Sequence, residues 1–350
     1  MHITELLRIA RERRASDLHI TAARNPVLRV DGALTITEFE LSEREKMDVI
    51  FQMLTGEQAE IVRNGGDLDF SFEPEEGERY RVNIYHQRKS FTAAIRVINS
   101  NTPSFEELGL PQVLQKLADE PRGLILVTGP TGSGKSTTLA AVIDYINSTR
   151  SGHILTVEDP IEYIHRHKKS LVHQREVGVD VSDFSAALRS ALREDPDVIL
   201  VGEMRDLETV AAAVTAAETG HLVLSTLHTT SAADTVNRII DVFPPHQQQQ
   251  IRTQLAAVLK GVITQQLLPR AVGRGRVAAF EIMLGTDAVL NLIREDKCHQ
   301  LDGTIQISGK LGMTTMDASL ATLVKNGAVS LEEAMKGAKN RAALSAAMVG

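Results

Sequence analysis

At 350 residues the chain is too long for one ordinary hydrophobic core, and roughly 100 to 200 residues per domain points to two. Its 43% apolar and 24% charged content excludes compositional disorder. Uninterrupted apolar runs such as Leu124 to Val127 and Val198 to Val201 are of strand length and fall far short of the ~18 to 20 residues that cross a bilayer. A formal charge of −7 argues against a general nucleic-acid binder, because duplex affinity comes mainly from cations that neutralise phosphates. The one cysteine, Cys298, excludes an internal disulfide and a cysteine-only zinc cluster. Met1 to Arg14 carries glutamates among its arginines and no continuous apolar core, so it reads as neither a secretory signal nor a transit peptide and the expected location is the cytosol.

Ile3, Leu6, Leu7 and Ala10 recur at helical spacing and open the chain with an amphipathic helix. Asp17 to Thr21 reads as a strand, and Val27 to Val30 with Ala33 to Ile36 flank Asp31-Gly32, a two-residue signal for an antiparallel hairpin. Ser42 with Glu45 and Thr55 with Gln58 are capping boxes that start two helices. Alternating runs at Asp67 to Glu73, Arg79 to Tyr85 and Phe91 to Ile98 read as strands with one polar face. These elements predict a small α+β domain over residues 1–98. The polar, aperiodic stretch from Asn99 to Ser104 with its Pro103 marks a linker, taken as residues 99–110.

Beyond the linker, strand and helix patterns alternate. Leu124 to Thr128, Ile154 to Val157, Val198 to Val201 and Leu222 to Leu227 are short and apolar on both faces, and helices start at Lys135, Asp183 and Leu207. Such strands predict a parallel sheet covered on both sides, here over residues 111–285. Pro244-Pro245 precedes a long helix, Thr315 to Asn326 closes at Gly327, and Ser330 with Glu333 caps another helix, so the C-terminal third reads as largely helical, with residues 286–350 a helical region of their own.

Gly129-Pro130-Thr131-Gly132-Ser133-Gly134-Lys135-Ser136 fits the phosphate-loop pattern in full, directly after an apolar strand and before a helix. The glycines let main-chain amides turn around a phosphate, and the helix amino end adds partial positive charge. These eight residues and Thr137 are the candidate nucleotide-binding set. Lys135 would bridge the β- and γ-phosphates and the Ser136 hydroxyl would ligate Mg²⁺. Glu203 ends the strand from Val198 and would hold Mg²⁺ through water or orient the attacking water; an ion pair with Arg205 is its ordinary structural alternative. Glu158, Asp159 and Glu162 follow the strand from Ile154 and are expected to converge with Glu203 at the carboxyl edge, where ligands of parallel sheets bind. His228, at the carboxyl end of its strand, is the candidate reader of the γ-phosphate, whereas His221 reads equally well as structural. His165-Arg166-His167-Lys168-Lys169 reads as a solvated basic loop.

Taken with Ala15-Ser16-Asp17-Leu18-His19, the acidic box Val157 to Tyr163, the run Leu188 to Asp206 and the histidine box Gly220 to Ser231, the phosphate loop makes the chain resemble the secretion ATPase superfamily over essentially its whole length, and within it the pilus retraction ATPases. The resemblance implies a PAS-like N-terminal domain, a RecA-like P-loop core and a homohexameric ring that binds ATP and Mg²⁺ between the two domains. It implies that Glu162 is a catalytic carboxylate, that Glu203 is the Walker B glutamate, and that Arg81 and Arg96 meet the γ-phosphate on closure. Ordinary strand-surface ion pairing is the alternative for both arginines. Ala288 to Glu295 resembles a C-terminal motif of retraction ATPases but departs at Val289 and Leu290, where an arginine of the pattern is missing.

The function so implied is ATP hydrolysis that powers type IV pilus retraction and twitching motility. The motor would act on an inner-membrane platform protein, with membrane association only through that partner and no nucleic acid. The alternatives are an accessory retraction, secretion or competence ATPase, a DNA-translocating ring, or a non-hydrolysing nucleotide-gated adaptor.

Overall fold

The computed structural model describes residues 2–30, 32–75, 78–98, 102–273 and 275–349. The chain divides into two compact units, one of Met1–Asn101 with Glu162–Ile164, the other of Thr102–Ile161 with His165–Gly350. Asp31 of the expected hairpin turn and Asn99–Asn101 of the expected linker lie outside the described residues.

The first unit runs α1 (Ile3–Glu12), β1 (Asp17–Ile20), β2 (Val27–Val30), β3 (Ala33–Ile36), α2 (Glu43–Phe51), α3 (Gly56–Arg63), β4 (Leu68–Glu75), β5 (Glu78–Gln87) and β6 (Ser90–Val97). Its sheet has the order β3-β2-β1-β6-β5-β4, with every neighbouring pair antiparallel. The apolar stripe of α1 buries Ile3, Leu6, Leu7 and Ala10 in the same core as Leu18, Tyr80, Val82, Ile84 and Ile95 of the strands. Both expected capping boxes form, Ser42 with Glu45 and Thr55 with Gln58.

The second unit continues with α4 (Phe105–Leu108), α5 (Val113–Ala118), β7 (Gly123–Thr128), α6 (Lys135–Thr149), β8 (His153–Glu158), β9 (Leu171–Glu176), α7 (Phe184–Ala191), β10 (Val198–Val201), α8 (Leu207–Glu218), β11 (Leu222–Leu227), α9 (Ala232–Asp241) and α10 (Pro245–Val258). It ends with β12 (Leu259–Pro269), β13 (Arg276–Leu284), α11 (Asp287–Arg294), α12 (Leu301–Ile307), α13 (Met316–Lys325), α14 (Leu331–Gly337) and α15 (Arg341–Val349). The seven-stranded sheet has the order β13-β12-β7-β11-β10-β8-β9, parallel except for the antiparallel edge pair β12–β13. Alternation sends Leu124 and Leu126 of β7 into one core with α8, α9 and α10, and Ile125 and Val127 into another with α5 and α6. The sheet is therefore buried on both faces, the reason its strands read as unbroken apolar runs.

Three strands of this sheet were not read in the sequence. The C-terminal third is largely helical as expected, but α10 passes directly into β12 at Leu259, and β13 follows. The run Val262-Ile263-Thr264 is β-branched, which favours an extended chain, and pairing with β7 on one side and β13 on the other buries it. The polar strand β9, unread in the sequence, forms the opposite edge by pairing with β8.

Candidate active site

The phosphate loop joins β7 to α6, and its shape is set by contacts with β12. Gly129 has φ 142°, and a Cβ there would fall 2.3 Å from the Gln265 carbonyl oxygen and 2.7 Å from Ser133 Oγ, so no other residue fits. Gln265 is buried; its Nε2 donates to the Ser133 carbonyl at 2.6 Å and its Oε1 accepts from Thr138 Oγ1 at 2.9 Å. Arg276 of β13 adds a long contact from Nη1 to the Gly132 carbonyl, 3.4 Å. One side-chain amide thus ties the loop to the first turn of the helix that follows it.

α6 begins at Gly134, in the left-handed region, with no side-chain cap. In contrast, Asp183, Asp206 and Ser231 cap α7, α8 and α9. At the amino end of α6, whose first amides are the orphan donors of any helix, no side-chain cap competes with a ligand. Lys135 is buried and its Nζ donates to the carbonyls of Gly129, 2.9 Å, and Pro130, 3.2 Å, which holds the ammonium at the loop. Ser133 Oγ is buried without a hydrogen-bond partner. Ser136 and Thr137 are half-buried and Thr131 is exposed. Uncapped amides, an ammonium and hydroxyls are a donor set suited to a polyphosphate, and Mg²⁺ sites of this kind use one or two protein oxygens plus substrate phosphates.

His228 follows β11, the parallel neighbour of β7, and Glu203 follows β10, the next strand. His228 Nε2 lies 3.2 Å from Glu203 Oε1, and its Nδ1 lies 3.5 Å from Thr131 Oγ1 of the phosphate loop. Arg205 Nη2 lies 2.7 Å from Glu203 Oε2, so the ion pair anticipated for Glu203 exists together with the histidine contact. Burial works to raise the Glu203 pKa, but the Arg205 hydrogen bond and the charge of His228 outweigh it and hold the carboxyl below the ordinary glutamate range. Glu203 and Arg205 line a cleft of about 430 Å³ with Asp159, Asp183 and Asp206.

The other acids do not all converge. β8 lies three strands from β7, roughly 14 Å at the usual strand spacing of ~4.8 Å. Glu158 accepts from Thr156 Oγ1, 2.7 Å, and Gln174 Nε2, 3.3 Å, which commits it to its own sheet edge. Glu162 is exposed and groups with the first unit. There Arg81 forks onto Asp69, with 2.8 Å from Nη2, and Arg96 Nε reaches Asp17 at 3.2 Å. The two arginines are direct cross-strand neighbours on β5 and β6. His221 lies at the amino end of β11, its Nδ1 2.9 Å from the Ala216 carbonyl, and closes the end of α8. His165 departs from the solvated basic loop expected of it: it is buried, and burial pushes its pKa down to about 4. Val289 packs in the core and Leu290 is half-buried against it, so these two departures from the C-terminal motif serve packing.

A mostly parallel sheet, a phosphate loop after an interior strand, and a histidine and a carboxylate on the next two strand tips define a RecA-like P-loop nucleotide-binding protein. The family model described as type II/IV secretion system protein matches residues 1–347, and the chain belongs to that family. It is 52% identical over 340 residues to the type IV pilus retraction ATPase PilT of Pseudomonas aeruginosa, covering 97% of this chain and 98% of that one. It is 50% identical over 321 residues to a twitching motility protein of Neisseria gonorrhoeae, covering 91% and 86%. A crystal structure of the pilus retraction motor PilT with bound ADP superposes with a TM-score of 0.92 at 47% identity, covering 99% of each chain. Among the described residues no helix is long and apolar enough to cross a membrane.

Proposed function

We propose that this chain is a homohexameric motor that hydrolyses ATP to retract a type IV pilus, working at the cytoplasmic face of the inner membrane on a platform protein of the pilus base. One observation carries the reading: an intact phosphate loop stands beside the Glu203–His228 pair in a chain half identical, end to end, to a pilus retraction ATPase. The residues from Gly129 to Thr137 bind the triphosphate through main-chain amides, and Lys135 supplies the bridging cation. Ser136 and, through water, Glu203 are the residues that would hold Mg²⁺, which when bound neutralises phosphate charge.

Glu203, kept ionised by Arg205 and His228, orients the attacking water and accepts its proton. His228 reads the γ-phosphate from the strand beside the loop, and Glu162 supplies a second carboxylate. Arg81 and Arg96 bring the positive charge that stabilises the transferring phosphoryl group. Because Asp69 and Asp17 hold these guanidiniums, their delivery is a step at which hydrolysis can be gated. Deleting the gene and scoring pili and surface motility tests the direction of action. Abundant static pili without twitching support retraction; bald cells would assign extension instead, and unchanged cells would reject both.

A further inference from the structure

β13, which no sequence pattern announced, places a buried carboxylate in the core. Glu281 is 2% exposed and its Oε1 accepts from the backbone N–H of Ala232 at 2.7 Å. Ala232 is the first residue of α9, the helix that leaves the histidine box. Burial works to raise the Glu281 pKa, and the Ala232 amide and the nearby backbone of Met316, the first residue of α13, act against that rise. The carboxylate thus sits at the amino end of α9 and beside that of α13, where partial positive charge and orphan amides favour its anion.

The same first turn of α9 is held from its other side. Thr235 Oγ1 contacts Thr229 Oγ1 at 2.7 Å and Thr128 Oγ1 at 3.5 Å, and donates to the Ser231 carbonyl at 2.7 Å. Thr229 directly follows His228, and Thr128 directly precedes Gly129. Thr128 Oγ1 lies 2.8 Å from Thr264 Oγ1, and Thr264 is the register partner of Glu281. Buried polar contacts therefore link the histidine box to the root of the phosphate loop, and strand pairing of Thr264 with Glu281 sets the carboxylate beside them.

We propose that Glu281 is a positioning residue: its carboxylate anchors the amino end of α9 and so fixes His228 against Glu203 and the phosphate loop. This rests on the proposed ATPase reading of that site. A carboxylate presents only acceptor oxygens to the Ala232 amide and to the backbone of Met316 beside it. A glutamine offers one oxygen and turns its NH₂ group towards the other backbone group.

The test is Glu281→Gln in the full-length chain, read by amide exchange and by turnover. Exchange over residues 229–235 should accelerate at least about tenfold as the segment opens locally. The kcat for ATP should fall about tenfold, the scale of one lost hydrogen bond to a charged group, with KM within about threefold of wild type. Combined with His228→Ala it should cost nothing further, because both changes remove one arrangement. Unaltered exchange in that segment, or a kcat loss that adds in full to that of His228→Ala, overturns the proposal. Glu281→Asp keeps both acceptor oxygens and should exchange more slowly than the glutamine variant; equal rates reject the two-acceptor argument. If the glutamine variant does not fold, Glu281→Asp is read against wild type: its shortened side chain should still accelerate exchange over residues 229–235, and unaltered exchange overturns the proposal. Should the wild-type chain fail to hydrolyse ATP, the proposed function falls, whereas the exchange comparison needs no nucleotide and still judges Glu281.

Discussion

Gln265→Leu isolates what the β12 strand contributes to nucleotide binding. The amide is 1% exposed and makes two hydrogen bonds, to the Ser133 carbonyl at 2.6 Å and from Thr138 Oγ1 at 2.9 Å. A leucine of similar volume removes both partners without opening a cavity. The Thr138 hydroxyl can turn back to its own helix, but the Ser133 carbonyl is left facing an apolar side chain, at a cost of about 1 to 3 kcal/mol. The loop escapes that cost by moving, and nucleotide binding must restore it. A middle value of about 2 kcal/mol corresponds to roughly a 30-fold weaker Kd for Mg·ADP. Isothermal titration calorimetry of the variant and wild type measures this directly, and thermal melting without nucleotide separates it from general destabilisation. A Kd within threefold of wild type would refute the claim that this amide holds the loop in its binding shape.

Glu203→Gln should lower kcat by about 10² to 10⁴ with little change in KM, the range for removing a positioned base, as read by steady-state phosphate release. Since Arg205 helps hold the Glu203 carboxyl below the ordinary glutamate range, wild-type activity should be insensitive to Glu203 protonation near neutrality; Arg205→Ala should move the acid limb of kcat/KM to higher pH, and an unmoved limb would remove Arg205 from this role. His165 has a folded pKa of about 4 against the ordinary 6.5, so the unfolded chain binds the extra proton between those values and stability falls as pH drops through that window. The integrated loss is up to about 3 kcal/mol, and urea unfolding at pH 7 and 4.5 should show it diminished in His165→Leu. Arg81→Ala removes a half-exposed ion pair with Asp69, which should change stability by under about 1 kcal/mol while turnover falls by about 10³ or more; parallel small effects on both would leave Arg81 as a surface cation.

The elements of both units were readable wherever a local rule was strong. Capping boxes at Ser42 and Thr55, the α1 stripe and the phosphate loop between β7 and α6 each rest on neighbours within one or two turns, so a short window contains the signal. The Glu203–His228 contact was foreseeable in kind, because strand-tip residues of a parallel sheet share an edge. The convergence of all the acids was not: the strand order that puts β8 three places from β7 is a tertiary choice that no local pattern encodes. His165 was misread because adjacency to Arg166, Lys168 and Lys169 dominates a composition window, although its own side chain turns inward.

The residues beneath the phosphate loop escaped for a deeper reason. Thr128, Thr264, Gln265 and Glu281 are all buried on strands that are otherwise mostly apolar, and polarity in a periodicity reading counts as exposure. Their polarity instead answers one another: Thr128 with Thr264, Gln265 with Ser133 and Thr138, and Glu281 with the amino end of α9. A buried polar group without such a partner costs several kcal/mol, so each of these positions depends on another 49 to 136 positions away in the chain, and none has a meaning in its own window. A polar residue inside a β-branched apolar run, as at Gln265 within Val262 to Leu268, is the one trace they leave in sequence. Read that way, it predicts a buried partner, and here the partner is the phosphate loop.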